Sequence, residues 1–260
     1  MLMAAYASFQ DWDGLLHFNY QGELMPERIE SNFDVSTKPE LFLQFPAAAR
    51  LFHRRDVQPA HVWRTYPILP EPSIPLALPF LHGVERVVQG RPPRTRIDRS
   101  APWVSDTGEL AWDARQGLVL IETPRTQAAI GQVGGVPIEL RDVTFSVVTP
   151  FACLILTSLD DEPLASSRHL LLTTVARAEN TGTIYDAPRT RLLNSGTSPI
   201  VMEPVVGSAA LPLGARRNPT VFTLDASGRR VKELSVRVDG GFVEVPLGEA
   251  HAYELLFEAS

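Results

Sequence analysis

The sequence has one cysteine and no apolar run long enough to cross a membrane. Cys153 has no second cysteine to pair with, so a disulfide within the chain is excluded. Its apolar, strand-like neighbours, residues 151–156, predict a buried and unreactive thiol. No stretch approaches the roughly 20 apolar residues of a spanning helix, and residues 1–14 lack the basic start of a signal peptide. We therefore expect no membrane partner.

Clustered positive charge is also lacking. The chain has 24 lysine and arginine residues against 30 aspartate and glutamate residues, which gives a net charge of −6. Basic pairs at residues 54–55, 216–217 and 229–230 are too scattered to form the stripe that phosphate binding requires. The composition therefore predicts no nucleic-acid partner.

Several catalytic and metal-binding motifs are missing. The sequence contains no G-x-S-x-G nucleophile elbow, and its 6 histidines are spread along the chain without defining a triad. It also has no H-x-x-x-H, C-x-x-C or calcium-loop pattern. We therefore expect neither a metal nor a cofactor. An esterase-type hydrolase is kept only as an alternative.

Strand signals dominate the chain from about residue 101. They recur roughly every 8 to 14 residues, as is typical of an antiparallel sandwich. Glycine-rich turns separate them at residues 134–135, 225–228 and 239–241. The clearest alternation, in residues 231–238 and 242–246, predicts a hairpin with one apolar face. We predict a mainly β protein with an antiparallel β-sandwich at residues 101–260.

The first hundred residues have a different pattern. Residues 2–10 favour a helix, residues 15–20 resemble a buried strand with a polar and aromatic tip, and a second helix follows Pro39. Residues 1–55 therefore predict a short α/β segment. Residues 56–100 are rich in proline and predict an extended connector with a short helix near residues 82–88.

Several motifs in the β-rich part resemble one family. They are SDTGEL at 105–110, WD at 112–113, ETPRTQ at 122–127, SLD at 158–160, RHLLL at 168–172 and ARAENTG at 176–182. As a set, they resemble the β-rich C-terminal domain that follows the barrel in some bacterial cellulase-like glycoside hydrolases. The helix, WDG and apolar strand of residues 2–20 are similar to the last unit of such an eight-fold β/α barrel.

The resemblance implies a site without its catalytic pair. Glycosidases need two carboxyl groups across the scissile bond, and in these barrel enzymes both come from earlier strands that this sequence does not contain. No residue here inherits either role, so the catalytic residues are unknown. Should the chain cleave glycans, the first carboxylates to test are Glu23, Glu27, Asp106 and Glu109.

Aromatic and polar side chains remain as candidates for substrate binding. An aromatic face packs on the apolar face of a sugar ring, and Asn or His can hydrogen-bond its hydroxyls. The predicted substrate-binding residues are Trp12, His17, Asn19, Tyr20, Trp63 and Trp103. The alternative is that Trp12 and Tyr20 are core aromatics and His17 is a structural polar residue. Trp112, within an alternating strand, is expected to be buried.

We predict the C-terminal portion of a cellulase-like glycoside hydrolase, contributing substrate binding and support for a barrel. Its partner would be a polysaccharide or oligosaccharide, together with the missing N-terminal barrel or further copies of itself. The full-length parent is expected to be extracellular or periplasmic, although no signal peptide is recognised in this chain. A stand-alone carbohydrate-binding or structural β-sandwich module is the alternative, and any enzymatic activity is left open.

Overall fold

The computed structural model describes residues 1–17, 19–20, 27–29, 34–69, 73–93 and 102–259. Its helices are α1 (Leu2–Phe9), α2 (Pro39–Phe42), α3 (Phe45–His53) and α4 (Leu78–Leu81). Proline occupies the first turn of α2, α3 and α4. At this position the missing N–H is not needed, and the fixed φ angle already suits a helix.

Strands make up most of the remaining chain. In chain order they are β1 (Trp63–Leu69), β2 (Gly83–Gln89), β3 (Trp103–Val104), β4 (Leu110–Asp113), β5 (Leu118–Glu122), β6 (Thr126–Gln132), β7 (Ile138–Glu139), β8 (Thr144–Val147), β9 (Phe151–Ser158), β10 (His169–Val175), β11 (Ala178–Thr181), β12 (Ile184–Tyr185), β13 (Leu192–Asn194), β14 (Thr197–Met202), β15 (Gly207–Pro212), β16 (Arg217–Leu224), β17 (Arg230–Leu234), β18 (Arg237–Asp239), β19 (Phe242–Leu247) and β20 (Ala252–Glu258).

Two antiparallel sheets dominate the fold. The large sheet has the order β17-β16-β20-β10-β9-β6-β5-β4-β3, and the small sheet has the order β18-β19-β15-β8-β7. Separate two-stranded pairs are formed by β1 with β2, β11 with β14 and β12 with β13. The prediction of a mainly β protein with antiparallel sheets is confirmed. Its finer assignment as a sandwich stays a prediction.

One hydrophobic core is shared by the two sheets. The large sheet contributes Leu154 and Leu156 from β9, and the small sheet contributes Phe145 from β8 and Val245 from β19. All four side chains are fully buried. Alternating apolar residues on each inner face exclude water between the sheets, which is the main source of their stability.

A second core lies on the outer face of the large sheet. Helices α1 and α3 pack there, with Phe9 and Leu51 against Ile121 and Ile155 of the sheet. Strand β9 is therefore covered on both faces, which explains its nearly continuous apolar sequence. Cys153 belongs to this core, and its burial raises the pKa of the thiol to about 12. The predicted buried thiol is confirmed.

A buried ion pair fixes the end of α3 to the large sheet. Arg54 Nη2 lies 2.7 Å from Asp56 Oδ2, which also accepts a 2.7 Å hydrogen bond from the Thr126 hydroxyl. Arg54 further donates to the Thr157 hydroxyl and to the Ser158 carbonyl. Buried charges require such partners. The network therefore holds the helical segment in one orientation on the sheet.

The connector differs from its prediction. The short helix predicted near residues 82–88 is wrong. Residues 83–89 form strand β2 instead, which pairs in parallel with β1. Asp106 anchors this pair by accepting hydrogen bonds from the N–H groups of His61 and Val62 and by contacting His82 Nδ1 at 3.0 Å. Long-range polar contacts of this kind outweigh local helix propensity.

The strand predicted for residues 15–20 is absent from its described residues, 15–17 and 19–20. They show only an isolated parallel bridge between Asn19 and Asp34, and Leu16 is 96% exposed. Helices α1 and α3 already cover the neighbouring sheet face, so no parallel sheet surrounds this apolar run to bury it. Phe18 lies outside the described residues. The resemblance to a barrel unit stays a prediction.

The hairpin predicted for residues 231–246 is only partly correct. Strands β18 and β19 form its tip, with Asp239 opposite Phe242. Residues 230–234, however, form β17, which pairs with β16 in the other sheet. The chain crosses from the large to the small sheet at residues 235–236. Alternation alone cannot reveal such a crossing, because both strands keep the same period.

Candidate functional site: a cleft beside Tyr20

Tyr20 is placed by the backbone pairing that precedes α2. Asn19 forms a bridge with Asp34, and the Asn19 carbonyl oxygen accepts a 3.3 Å hydrogen bond from the Val35 N–H. Asp34 Oδ1 in turn accepts bonds from the Ser36 N–H and hydroxyl, forming the turn that leads into α2. These contacts bring residues 19–20 beside the helix.

Four rings then form a continuous line, here called the aromatic row: His17, Phe45, Phe42 and Tyr20. Consecutive ring centroids are 5.0 Å, 5.3 Å and 5.8 Å apart. Tyr20 meets Phe42 edge to face at 74° and remains 51% exposed. Edge-to-face contacts fix a ring without covering all of it. Tyr20 therefore offers a positioned but accessible aromatic surface.

The Tyr20 end of the aromatic row borders a cleft of about 630 Å³, here called the Tyr20 cleft. Its walls come from the α2 region, from β14, from the turn after β16 and from the segment before β20. Their main contributors are Pro39, Phe42, Leu43, Ile200, Met202, Asp225, Glu249 and His251. The volume falls within the approximately 300 to 1,000 Å³ of small-molecule sites, which combine apolar walls with a few polar groups.

The polar groups of the Tyr20 cleft have defined partners. Asp225 Oδ1 accepts bonds from the Ser227 N–H and hydroxyl and from the Arg229 N–H. These bonds, that of the Ser227 hydroxyl foremost, hold the pKa of Asp225 below its usual value. Glu249 Oε2 lies 2.6 Å from Lys232 Nζ.

His251 is the third polar group of the cleft. Its Nδ1 lies 3.2 Å from the Thr174 carbonyl oxygen. Burial lowers the pKa of His251, so the imidazole is mostly neutral at pH 7. Near neutral pH, the formal charges lining the cleft are therefore those of carboxylates.

The other end of the aromatic row borders an apolar cavity of about 370 Å³. His17 and Phe45 line it together with Leu15, Leu41 and Ile130. Cys153 also lines this cavity, but its raised pKa keeps the thiol protonated and a poor nucleophile. Its polar lining comes from His17, Glu40 and Gln44. Burial raises the pKa of Glu40, and Gln44 is already bonded to the Met1 amine and the Glu40 carbonyl oxygen.

Of the predicted substrate-binding residues, Tyr20 lines the Tyr20 cleft. His17 lies at the other end of the aromatic row and lines the apolar cavity, and Asn19, next to Tyr20 in the chain, lines neither. Trp12 lies just after α1 and is 53% exposed. Trp63 begins β1, and a Cβ at Gly83 would lie 2.5 Å from its indole, so the ring packs on glycine backbone. Neither tryptophan lines the Tyr20 cleft.

Trp103 belongs to a separate aromatic cluster. It stacks on Phe80 with a 5.7 Å centroid distance and an interplanar angle of 1°. Phe80 also contacts Trp112 at 4.6 Å and Tyr6 at 5.2 Å. Trp112 is half-buried in this cluster rather than fully buried as expected. The cluster packs α1 and α4 against the edge of the large sheet.

Sequence reasoning missed most of the cleft. Phe42 lies within the second helix predicted after Pro39 and carries no binding motif, and Asp225, Glu249 and His251 lie in turns without a motif. The only available signal was the pair Phe42 and Phe45, one helical turn apart beside an aromatic strand tip. Convergence of distant turns cannot be deduced from local patterns.

Of the carboxylates proposed for testing, Asp106 and Glu109 serve as hydrogen-bond acceptors at the sheet edge. Glu109 Oε2 accepts a 2.7 Å bond from the Gln58 N–H. Neither residue lines the Tyr20 cleft or the apolar cavity. Glu27 is exposed, and Glu23 lies outside the described residues.

Comparisons with protein-family models, curated proteins and solved structures gave no match for this chain. Within its described residues, no helix has the length and apolar character of a membrane span. The same residues contain no group of three or more His, Cys, Asp or Glu side chains that could hold a metal ion.

Proposed function

We propose that the chain binds a polysaccharide or oligosaccharide in the Tyr20 cleft, as a substrate-binding part of a cellulase-like glycoside hydrolase. The observation that carries the proposal is the half-exposed Tyr20 ring, held edge to face by Phe42 at the mouth of the cleft. A positioned aromatic face beside hydrogen-bonding groups is what recognition of a sugar ring requires.

The polar groups of the cleft suit binding better than catalysis. A general acid for glycoside cleavage needs a carboxyl group with a raised pKa, whereas the pKa of Asp225 is lowered. Glu249 already pairs with Lys232. Both carboxylates can still accept hydrogen bonds from sugar hydroxyls, since each has more than one acceptor site. We therefore assign the chain a binding role and place the chemistry on another part of the enzyme.

Titration calorimetry with a neutral β-glucan hexasaccharide tests this proposal. Removing the ring in Tyr20→Ala is expected to weaken binding about tenfold, the equivalent of one stacked aromatic contact. Trp12→Ala is the matched control, because it removes another half-exposed aromatic that does not line the cleft. Equal binding by wild type and Tyr20→Ala would overturn the proposal.

A hydrolysis screen on soluble and insoluble β-glucans and on acyl esters completes the test. Binding without turnover is expected of an accessory part. Robust cleavage by the chain alone would overturn the binding-only role, and Asp106 and Glu109 would then be replaced first by their amides. Ester cleavage without glycan binding would instead favour the esterase alternative.

A further inference from the structure

We propose that the Tyr20 cleft selects neutral glycans and discriminates against anionic ones, such as uronic acid or sulfated polymers. The inference rests on the proposed function and adds the chemical class of the sugar. Its basis is the charge of the cleft walls: Asp225 and Glu249 line the cleft, and no lysine or arginine is among the described residues that do so.

The carboxylate of Asp225 is fixed in place and ionised. Three hydrogen bonds from its own turn, 2.7 to 2.9 Å long, hold it at the cleft. These hydrogen bonds come from backbone N–H groups and a hydroxyl, so none of them is an ion pair. The Arg229 charge also favours the ionised form of Asp225, but the Arg229 side chain does not line the cleft. An anionic sugar in the cleft would meet this charge directly.

Two neighbouring cations are already paired with carboxylates. Lys232 pairs with Glu249, and Arg230 pairs with Glu254 while stacking over Phe222 at 4.6 Å. Both side chains of the Lys232–Glu249 pair are more than half exposed, so solvent screens their attraction. Neither cation is among the described residues that line the cleft, and each already pairs with a carboxylate of the protein.

His251 does not supply the missing positive charge. Its Nδ1 faces the Thr174 carbonyl, and burial keeps the ring mostly neutral at pH 7. The cleft therefore presents hydroxyl-accepting oxygens, aromatic and aliphatic walls, and net negative charge. A neutral sugar can donate hydrogen bonds to the oxygens and pack on the walls, and the negative charge does not repel it. A like charge about 6 Å away weakens binding about tenfold at low salt, when the effective dielectric constant of the solvent-exposed cleft is about 40, between that of a protein surface and that of water.

The experiment compares two hexasaccharides with the same β-1,4 linkage, one of glucose and one of glucuronic acid, by calorimetry at low and high salt. At low salt, the glucose oligomer is expected to bind about tenfold more tightly. The difference in affinity between the two oligomers should become smaller at high salt. It should also become smaller in Asp225→Asn, which retains an oxygen that can accept the hydrogen bonds of the turn. Glu249→Gln should act in the same direction.

Glu233→Gln is the matched control, because Glu233 is an exposed carboxylate on β17 that does not line the cleft. It changes net charge by the same amount and should leave the discrimination intact. Equal binding of both oligomers, or a gap unchanged by Asp225→Asn and Glu249→Gln, would overturn the selectivity while leaving sugar binding in place. Failure of both oligomers to bind would remove the proposed function and the selectivity together.

Discussion

Truncating Leu51 tests whether the helical segment is an integral part of the β-rich fold. Leu51 lies on α3, is fully buried, and packs in the core formed by α1, α3 and the outer face of the large sheet. Leu51→Ala removes most of this side chain and leaves a cavity. Buried Leu→Ala changes of this kind cost about 2 to 5 kcal/mol.

The structure favours the middle of this range. Leu51 is enclosed by two helices and a sheet, and the adjacent Arg54–Asp56 network limits how far α3 can relax into the cavity. We expect a loss of about 3 kcal/mol in the free energy of unfolding. For a chain of this size, that lowers Tm by roughly 6 to 12 °C.

Urea unfolding followed by far-UV circular dichroism, with calorimetry for Tm, measures the effect. Leu76→Ala is the control, because Leu76 is 81% exposed and its truncation should change stability by less than about 0.5 kcal/mol. One cooperative transition, shifted only in Leu51→Ala, is expected. A variant whose main transition is unchanged while a small early transition appears would show that the helices fold independently of the sheet, and would refute the reasoning.

Three further predictions concern single residues. Burial acts to raise the pKa of Asp106, but its hydrogen bonds with His82, His61 and Val62 together outweigh burial and lower it. The ionised Asp106 therefore stabilises the fold above about pH 4, and this contribution is lost as the pH falls through the pKa of the folded state. Asp106→Asn should be less stable than wild type at pH 7, and in acid unfolding its free energy of unfolding should fall less steeply between about pH 5 and 2. Because burial raises its pKa to about 12, Cys153 should resist a disulfide reagent at pH 8 in the native protein and react fully in guanidinium; rapid native reaction would contradict its placement. Gly131 has a φ angle of +120°, and a Cβ there would lie 2.0 Å from the Gly117 carbonyl oxygen. Gly131→Ala should therefore lower the free energy of unfolding in urea by more than about 2 kcal/mol. Gly14→Ala is the control and should be near neutral, because a Cβ at Gly14 would meet no atom within 4 Å.

Much of the β-rich part could be predicted from local pattern. The strand signals that recur from about residue 101 agree with the succession of strands from β3 to β20, because apolar runs bounded by turns reflect burial directly. The parallel pair of β1 and β2 was missed. Its prolines suggested a connector, and the carboxylate of Asp106 that anchors the pair lies far along the chain.

The candidate site could be predicted only in part. Tyr20 is predicted because polar and aromatic residues follow an apolar run, although that run is not a strand. His17 and Asn19, predicted with it, do not line the cleft. Asp225 and His251 were not identified, since each lies in a turn that reaches the cleft through sheet topology. A local sequence pattern predicts which residues of one segment are buried. The lining of a cleft depends instead on which distant turns the fold brings together, and a local pattern does not contain that information.

The most direct test of the account is the methionine methyl NMR spectrum of the ¹³C-labelled protein during titration with a neutral β-glucan hexasaccharide. Met202 lines the Tyr20 cleft, whereas Met3 lines the apolar cavity at the other end of the aromatic row. Met202→Leu and Met3→Leu assign the two signals. Sugar binding in the Tyr20 cleft predicts a saturable shift of the Met202 methyl signal, with the Met3 signal unchanged. A shift confined to Met3, or no shift of Met202 at a sugar concentration that saturates binding, would contradict it.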